Sequence, residues 1–283
     1  MILTSLWIFL STSLGLFLFS LSLHVPNRLG AAGKWFSGFL TRAPLLDVIV
    51  TIFTIVPMVA GGLIGGWLGL IAAILGQYAA LGLWTLAHEK AHPEAKNGPR
   101  IIKFNNKLVG WPRNISAVLI TSGAVPIFFF IRCGELLLYP WLVLLVKFPP
   151  YKQSEWVMVS RQKFVGLIGH DRIWCLYCDW MTGVRSLGGE MLRNVESFWC
   201  PIRFRSDLKC DHCHTDYPDI KNGWVPFDSD MQAVTDRLTE KYVTDAPKHN
   251  AWFGHPIRLK VKGKEVEAPT VSQAESPAAP PAE

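Results

Sequence analysis

Two long apolar runs constrain this chain more than any other feature. Residues 2–24 (ILTSLWIFLSTSLGLFLFSLSLH) carry no Asp, Glu, Lys or Arg, and a second apolar stretch runs from Leu45 to Ala87. A bilayer's hydrocarbon core needs about 20 apolar residues of helix to cross it. The first run is therefore one span, and the second is twice the length of one. Half of the 283 residues are hydrophobic, and they are concentrated before residue 149 rather than spread at the periods of a soluble core. The first run lacks the basic n-region of a signal peptide and is too long for its h-region. It is expected to be a retained helix with its N-terminus outside, because Arg28, Lys34 and Arg42 follow it. Residues 25–43 then lie along the cytoplasmic interface.

Gly61, Gly62, Gly65 and Gly66 sit at the middle of the second run, which divides it into two helices there. The second of these carries small residues at Gly65, Gly69, Ala72, Ala73, Gly76 and Ala80. That pattern lets helix backbones approach closely in lipid, and tight packing within one bundle is the expectation. Residues 88–114 are polar and rich in Lys and Arg. A third apolar segment, Ile115 to Phe148, is interrupted by Arg132, Cys133, Gly134 and Glu135. It is too long for one straight span. Either one helix crosses and then lies along the interface, or the segment enters and returns as a re-entrant hairpin. Arg132 and Glu135, three apart, can pair on one helical face and so lower each other's cost in lipid.

After Pro149-Pro150 the composition changes. Residues 149–200 are aromatic and largely of helical period, with breaks or bends expected near Gly183 and Gly188-Gly189. Residues 201–265 read as a small module with one clear helix, Asp230 to Tyr242, capped by Asp228 or Ser229. The tail from residue 266 is Pro/Ala-rich and predicted to be disordered. The net charge of +6 is modest, and acids are mixed among the bases. This suits anionic lipid headgroups; nucleic acid, which needs a denser basic face, is not expected as a partner.

The strongest chemical signal is a pair of C-x-x-C motifs, Cys175/Cys178 and Cys210/Cys213. Six cysteines in a chain of this length do not make a secreted disulfide scaffold. Four thiolates in two pairs suit a tetrahedral zinc ion, with Cys200 and His214 as substitutes. The pairs resemble zinc-ribbon knuckles, a likeness confined to those four residues. An iron–sulfur cluster would accept the same ligands. Cys210-Asp-His-Cys213-His214 also spells the attachment signature of a c-type haem, which would leave the other thiols unexplained. Separately, His88-Glu89-Lys90-Ala91-His92 matches H-E-x-x-H, in which the histidines bind zinc and the Glu acts as base. Pro93 biases His92 out of helical geometry. Glu135, His170, Asp171 and Glu190 are all conceivable as the third ligand.

These readings converge on a mainly α fold: a polytopic helical membrane bundle (1–148, about four spans plus the re-entrant alternative), a Cys-rich α-and-irregular metal-binding module (149–265) and a disordered tail (266–283). The expected setting is a bacterial inner membrane with the Cys-rich domain facing the cytoplasm, where thiols stay reduced. The expected role is docking or assembly with another membrane protein or complex. The alternatives are a membrane metalloenzyme using His88, Glu89 and His92, and an electron-transfer protein using an iron–sulfur or c-type haem centre.

Overall fold

The computed structural model describes residues 1–26, 29–205, 223–243, 249–252, 260–261 and 264–265. The protein is mainly helical: α1 (Ile2–Ser22), α2 (Gly30–Leu40), α3 (Leu45–Ala91), α4 (Pro93–Asn97), α5 (Ile101–Val109), α6 (Trp111–Ser122), α7 (Ala124–Leu137), α8 (Tyr139–Val146), α9 (Gln153–Trp156), α10 (Gly169–Trp199) and α11 (Met231–Tyr242). A 3-10 turn (Arg161–Lys163) and a short antiparallel pair, β1 (Lys260–Val261) and β2 (Lys264–Glu265), complete the described elements. Three stretches are long and apolar enough to cross a bilayer: Ile2–Ser22, Leu45–Ala91 and Trp111–Val146.

The 47-residue α3 is not straight. Gly66 leaves helical geometry, with φ 60° and ψ −145°, a conformation that favours glycine. The Gln77 side chain donates to the carbonyls of Phe53, at 2.8 Å, and Thr54, at 2.5 Å. In a straight helix those residues would be roughly 35 Å apart. The stretch is thus a helical hairpin, 45–65 followed by 67–91, as the central glycines predict. A Cβ on Gly61 would lie 2.5 Å from the Gly69 carbonyl oxygen and 2.8 Å from the Ala73 Cβ. The small residues let the arms close on each other, and any larger side chain at Gly61 or Gly69 would hold them apart.

α1 packs along the returning arm. Ile8 lies against Gly65 and Gly69, Phe9 and Thr12 against Gly76, and Ile8, Ala72 and Ala73 form a buried cluster. Further along, Phe19 meets Phe53 at 5.4 Å and His24 stacks on Trp84 at 6.1 Å. The small-residue face is therefore a packing face, as expected. Its large apolar residues point outward: Leu6, Trp7, Leu63, Ile64 and Trp67 are all exposed. Because the hairpin folds at Gly66, its two termini share one end. His24, Asp47 and Glu89 all belong to that open end, and Gly66 marks the other.

The polar elements attach at the open end. Thr41, Arg42 and Ala43 pair with the 157–159 backbone: Ala43 donates to Val157 and Val159 donates to Thr41, both at 2.9 Å. α10 joins the same end through Asp171 and Trp180. The breaks expected near Gly183 and Gly188 do not occur, and α10 runs continuously from Gly169 to Trp199. These glycines serve close approach instead. A Cβ on Gly183 would sit 2.5 Å from the Trp156 carbonyl oxygen, and one on Gly188 would sit 2.9 Å from Glu135 Oε1. Packing outweighs the cost of about 1 kcal/mol that glycine adds to a helix interior.

The third apolar stretch is broken at Gly123 and Leu138 into α6, α7 and α8. None of the three is long enough alone to cross the hydrocarbon core. Tyr78 Oη and Ser122 Oγ are 2.5 Å apart, which ties the first break to the hairpin. The pairing of Arg132 with Glu135 is present, at 2.6 Å.

The chain divides into two compact units, Met1–Tyr139 with Gln153–Glu190, and Pro140–Lys152 with Met191–Glu283. Within the second, Phe148 is fully buried and meets Phe198 and Trp199 edge-on, and Phe198 meets Tyr242. Asn194 donates to Tyr151 Oη and accepts from the Trp252 amide. α11 starts one residue later than expected. Asp230 is its N-cap and accepts from the Ala233 amide at 2.9 Å, so neither Asp228 nor Ser229 fills that role.

Candidate functional site

Arg100 occupies the N-cap of α5 in an extended conformation, which aims its guanidinium back under the open end of the hairpin. Its Nε donates to Asp171 Oδ2 at 2.8 Å, both Nη atoms donate to Glu89 Oε1 at 3.0 Å, and Nη2 also reaches the Ile168 carbonyl. Asp171 accepts in addition from the amides of Ile101 and Ile102, at 3.2 and 3.1 Å. One carboxylate thus caps α5 and pairs with its first arginine, while standing in the first turn of α10. Burial alone would raise the Asp171 pKa. The hydrogen bonds and charge from His170 and Arg100 and the Ile102 amide outweigh it, holding the carboxyl below its ordinary value. Burial alone would likewise lower the Arg100 pKa, but its bonds to Asp171 and Glu89 raise it.

The H-E-x-x-H residues come together around this node. His88 and His92 stack face to face, ring centres 4.5 Å apart, and Trp84 stacks on the other side of His88 at the same spacing. His88 Nδ1 accepts from the Gly169 amide at 3.2 Å, which places the proton of the neutral ring on Nε2. His92 Nδ1 lies 2.9 Å from the His88 carbonyl, and its backbone has left helical geometry before Pro93. Glu89 is engaged by Arg100. Only His92 therefore keeps an Nε2 lone pair for a ligand, the His88 Nε2 carries its proton, and the Glu carboxylate is already in an ion pair.

The other third-ligand candidates are scattered. Glu135 is paired with Arg132, and Glu190 is buried on α10. His170 Nδ1 is 3.6 Å from Asp171 Oδ1, and its ring stacks on Trp174. Among the described residues no group of three or more His, Cys, Asp or Glu side chains is arranged to hold a metal.

Cys175 and Cys178 are free thiols, half-buried, one helical turn apart on α10. Burial raises the Cys175 pKa. Nearby, Asp179 accepts from the amides of Ser160 and Arg161 and pairs with the Arg161 side chain at 2.8 Å. Cys200 is free and exposed. Cys210, Cys213 and His214 lie outside the described residues. A cleft of about 210 Å³ runs between α5, α6 and α10, where Ile102, Asn105, Asn114, His170, Trp174 and Cys175 line it.

Sequence reasoning named Asp171 as a candidate ligand and passed over Arg100 altogether. The only local hint for Arg100 is its position directly before a short amphipathic pattern. Its two acidic partners lie on other helices. Comparison with protein-family models, with curated proteins and with solved structures finds no match to this chain.

Proposed function

We propose that this chain is an integral membrane protein whose polar helical layer is a docking or assembly module built on a thiolate–zinc site. Cys175 and Cys178 supply two ligands, and Cys210 and Cys213 supply the other two. One observation carries the reading. Two free thiols stand one turn apart on a helix that Asp171 and Trp180 fasten to the open end of the apolar hairpin. Such a pair offers two soft donors from one face, and zinc needs two more to complete a tetrahedron. The second C-x-x-C motif of the sequence supplies that number. Zinc bound this way would tie the segment after α10 to the membrane-proximal layer and give a partner a fixed surface. The basic residues that flank the apolar stretches favour the cytoplasmic side for this layer.

A metalloenzyme using His88, Glu89 and His92 receives less support, because the carboxylate that would activate water is held by Arg100. An iron–sulfur or haem protein would be coloured. Elemental analysis and an absorption spectrum of the detergent-purified chain separate these readings. We expect one zinc per chain, no visible absorption, and loss of the metal in both Cys175→Ser and Cys210→Ser. A metal-free wild type, or zinc kept by both variants, contradicts the proposal. Loss of metal in His88→Ala or His92→Ala with the cysteines intact would favour the metalloenzyme, in which Glu89→Gln keeps the metal and abolishes activity.

A further inference from the structure

α5 has three faces rather than two. Ile102, Asn105 and Asn106 are half-buried against the protein, and Asn114 of α6 donates to Asn106 at 2.8 Å. Ile101, Phe104 and Leu108, at helical spacing, form a second face that is 53%, 65% and 70% exposed. Lys103 and Lys107, four apart and both exposed, form the third, beside the apolar one. Lys103 also donates to the carbonyls of Lys96 and Gly98, which holds it close to the surface of the fold.

The position of α5 says what covers the apolar face. A single residue, Gly110 with φ +86°, joins α5 to Trp111, the first residue of the third apolar stretch. Trp111 is itself 63% exposed. A helix held one residue from a stretch apolar enough to enter the bilayer lies at headgroup depth. An apolar stripe bordered by lysines is the pattern of a helix lying in that plane. Tryptophan at the start of the stretch marks the same level.

We propose that α5 is an interfacial helix, with Ile101, Phe104 and Leu108 in the acyl boundary and Lys103 and Lys107 on anionic phospholipid headgroups. The inference rests on the membrane reading given above but not on the metal site. It gives the Asp171 contacts a second consequence: the carboxylate that caps α5 stands on the helix that carries Cys175 and Cys178, so α10 is registered against the lipid surface through α5.

The test uses the full chain reconstituted in phosphatidylcholine vesicles, with and without phosphatidylglycerol. A photo-reactive p-benzoylphenylalanine replaces residue 104, 108 or 106. Flotation of the vesicles reports membrane residence separately. We expect lipid adducts from positions 104 and 108 and only intrachain adducts from 106. Lys103→Gln with Lys107→Gln should lower the phosphatidylglycerol adduct at 104 by roughly tenfold, with the phosphatidylcholine adduct unchanged. If the chain floats but position 104 reacts only with protein, whether a second copy or another chain, the face is a protein interface and the inference falls. Equal adduct yields with both lipids overturn the headgroup half of it. A chain that does not float removes the membrane reading as well.

Discussion

Two arginines, Arg100 and Arg132, are each buried between two carboxylates, and the two clusters differ in what surrounds them. Arg132 donates to Glu135 at 2.6 Å, to Asp47 at 2.7 Å and to Gln153 at 2.6 Å. The Trp180 indole closes the cluster by donating to Asp47 at 3.0 Å. The Arg132 side chain is 2% exposed, that of Glu135 3% and that of Asp47 11%. Arg100 is almost as buried, at 3%, but Glu89 reaches 16%, and the cluster borders the cleft lined by His170 and Cys175. The same charges thus make a sealed lock at one site and an open joint at the other. The lock fastens α7, α9 and α10 to the start of the hairpin. The joint links the end of the hairpin to α5 and to the start of α10.

The largest effect is expected at the lock. Arg132→Met leaves Asp47 and Glu135 buried without a counter-charge and should cost about 3–5 kcal/mol, read as a lowered midpoint of thermal unfolding in detergent. Arg100→Met should cost less, about 2–3 kcal/mol, because Glu89 can turn toward solvent. Amide exchange should then quicken first in α5, because its capping carboxylate, Asp171, loses its counter-charge. Equal losses for the two variants would erase the distinction between lock and joint. Trp180→Phe removes one hydrogen bond to a carboxylate and should cost about 1.5 kcal/mol, with no change in α5 exchange.

The smallest effect is that of pH on the joint. Asp171 has a native pKa below its unfolded value of about 3.9. Its contribution is complete above that value and disappears as pH falls through the depressed native one. Protection of the Ile101 and Ile102 amides should therefore hold at neutral and mildly acidic pH and fail only in stronger acid. Loss of protection between pH 5 and 7 would contradict this assignment. In the opposite direction, burial raises the Cys175 pKa, so in protein stripped of metal by a chelator its alkylation should keep accelerating into alkaline pH, beyond the point where an ordinary thiol has levelled off.

The local parts of this architecture were legible in the sequence, and the long-range parts were not. The hairpin reversal at Gly66 follows from a glycine cluster in an apolar run of double length. The Arg132–Glu135 pair follows from i, i+3 spacing. Asp47, the other partner of Arg132, stands 85 positions away, and no periodicity connects them. Glu89 was legible only as part of H-E-x-x-H, since its partner Arg100 lies beyond a proline and a change of helix. Gly183 and Gly188 misled in a physical way. Helix propensity marks them as breaks, whereas the contacts with Trp156 and Glu135 need a residue without a side chain. For the proposed metal site, half of the ligands can be placed and half lie outside the described residues.

The most direct test of the architecture is the side of the membrane reached by each element. An azide-bearing amino acid at exposed positions 34, 103 and 185, and at 67 near the hairpin tip, would be labelled by an impermeant dye before and after the membrane is opened. The account expects Lys34, Lys103 and Arg185 to share one side and Trp67 to lie on the other. Labelling of positions 34 and 185 from opposite faces would contradict it.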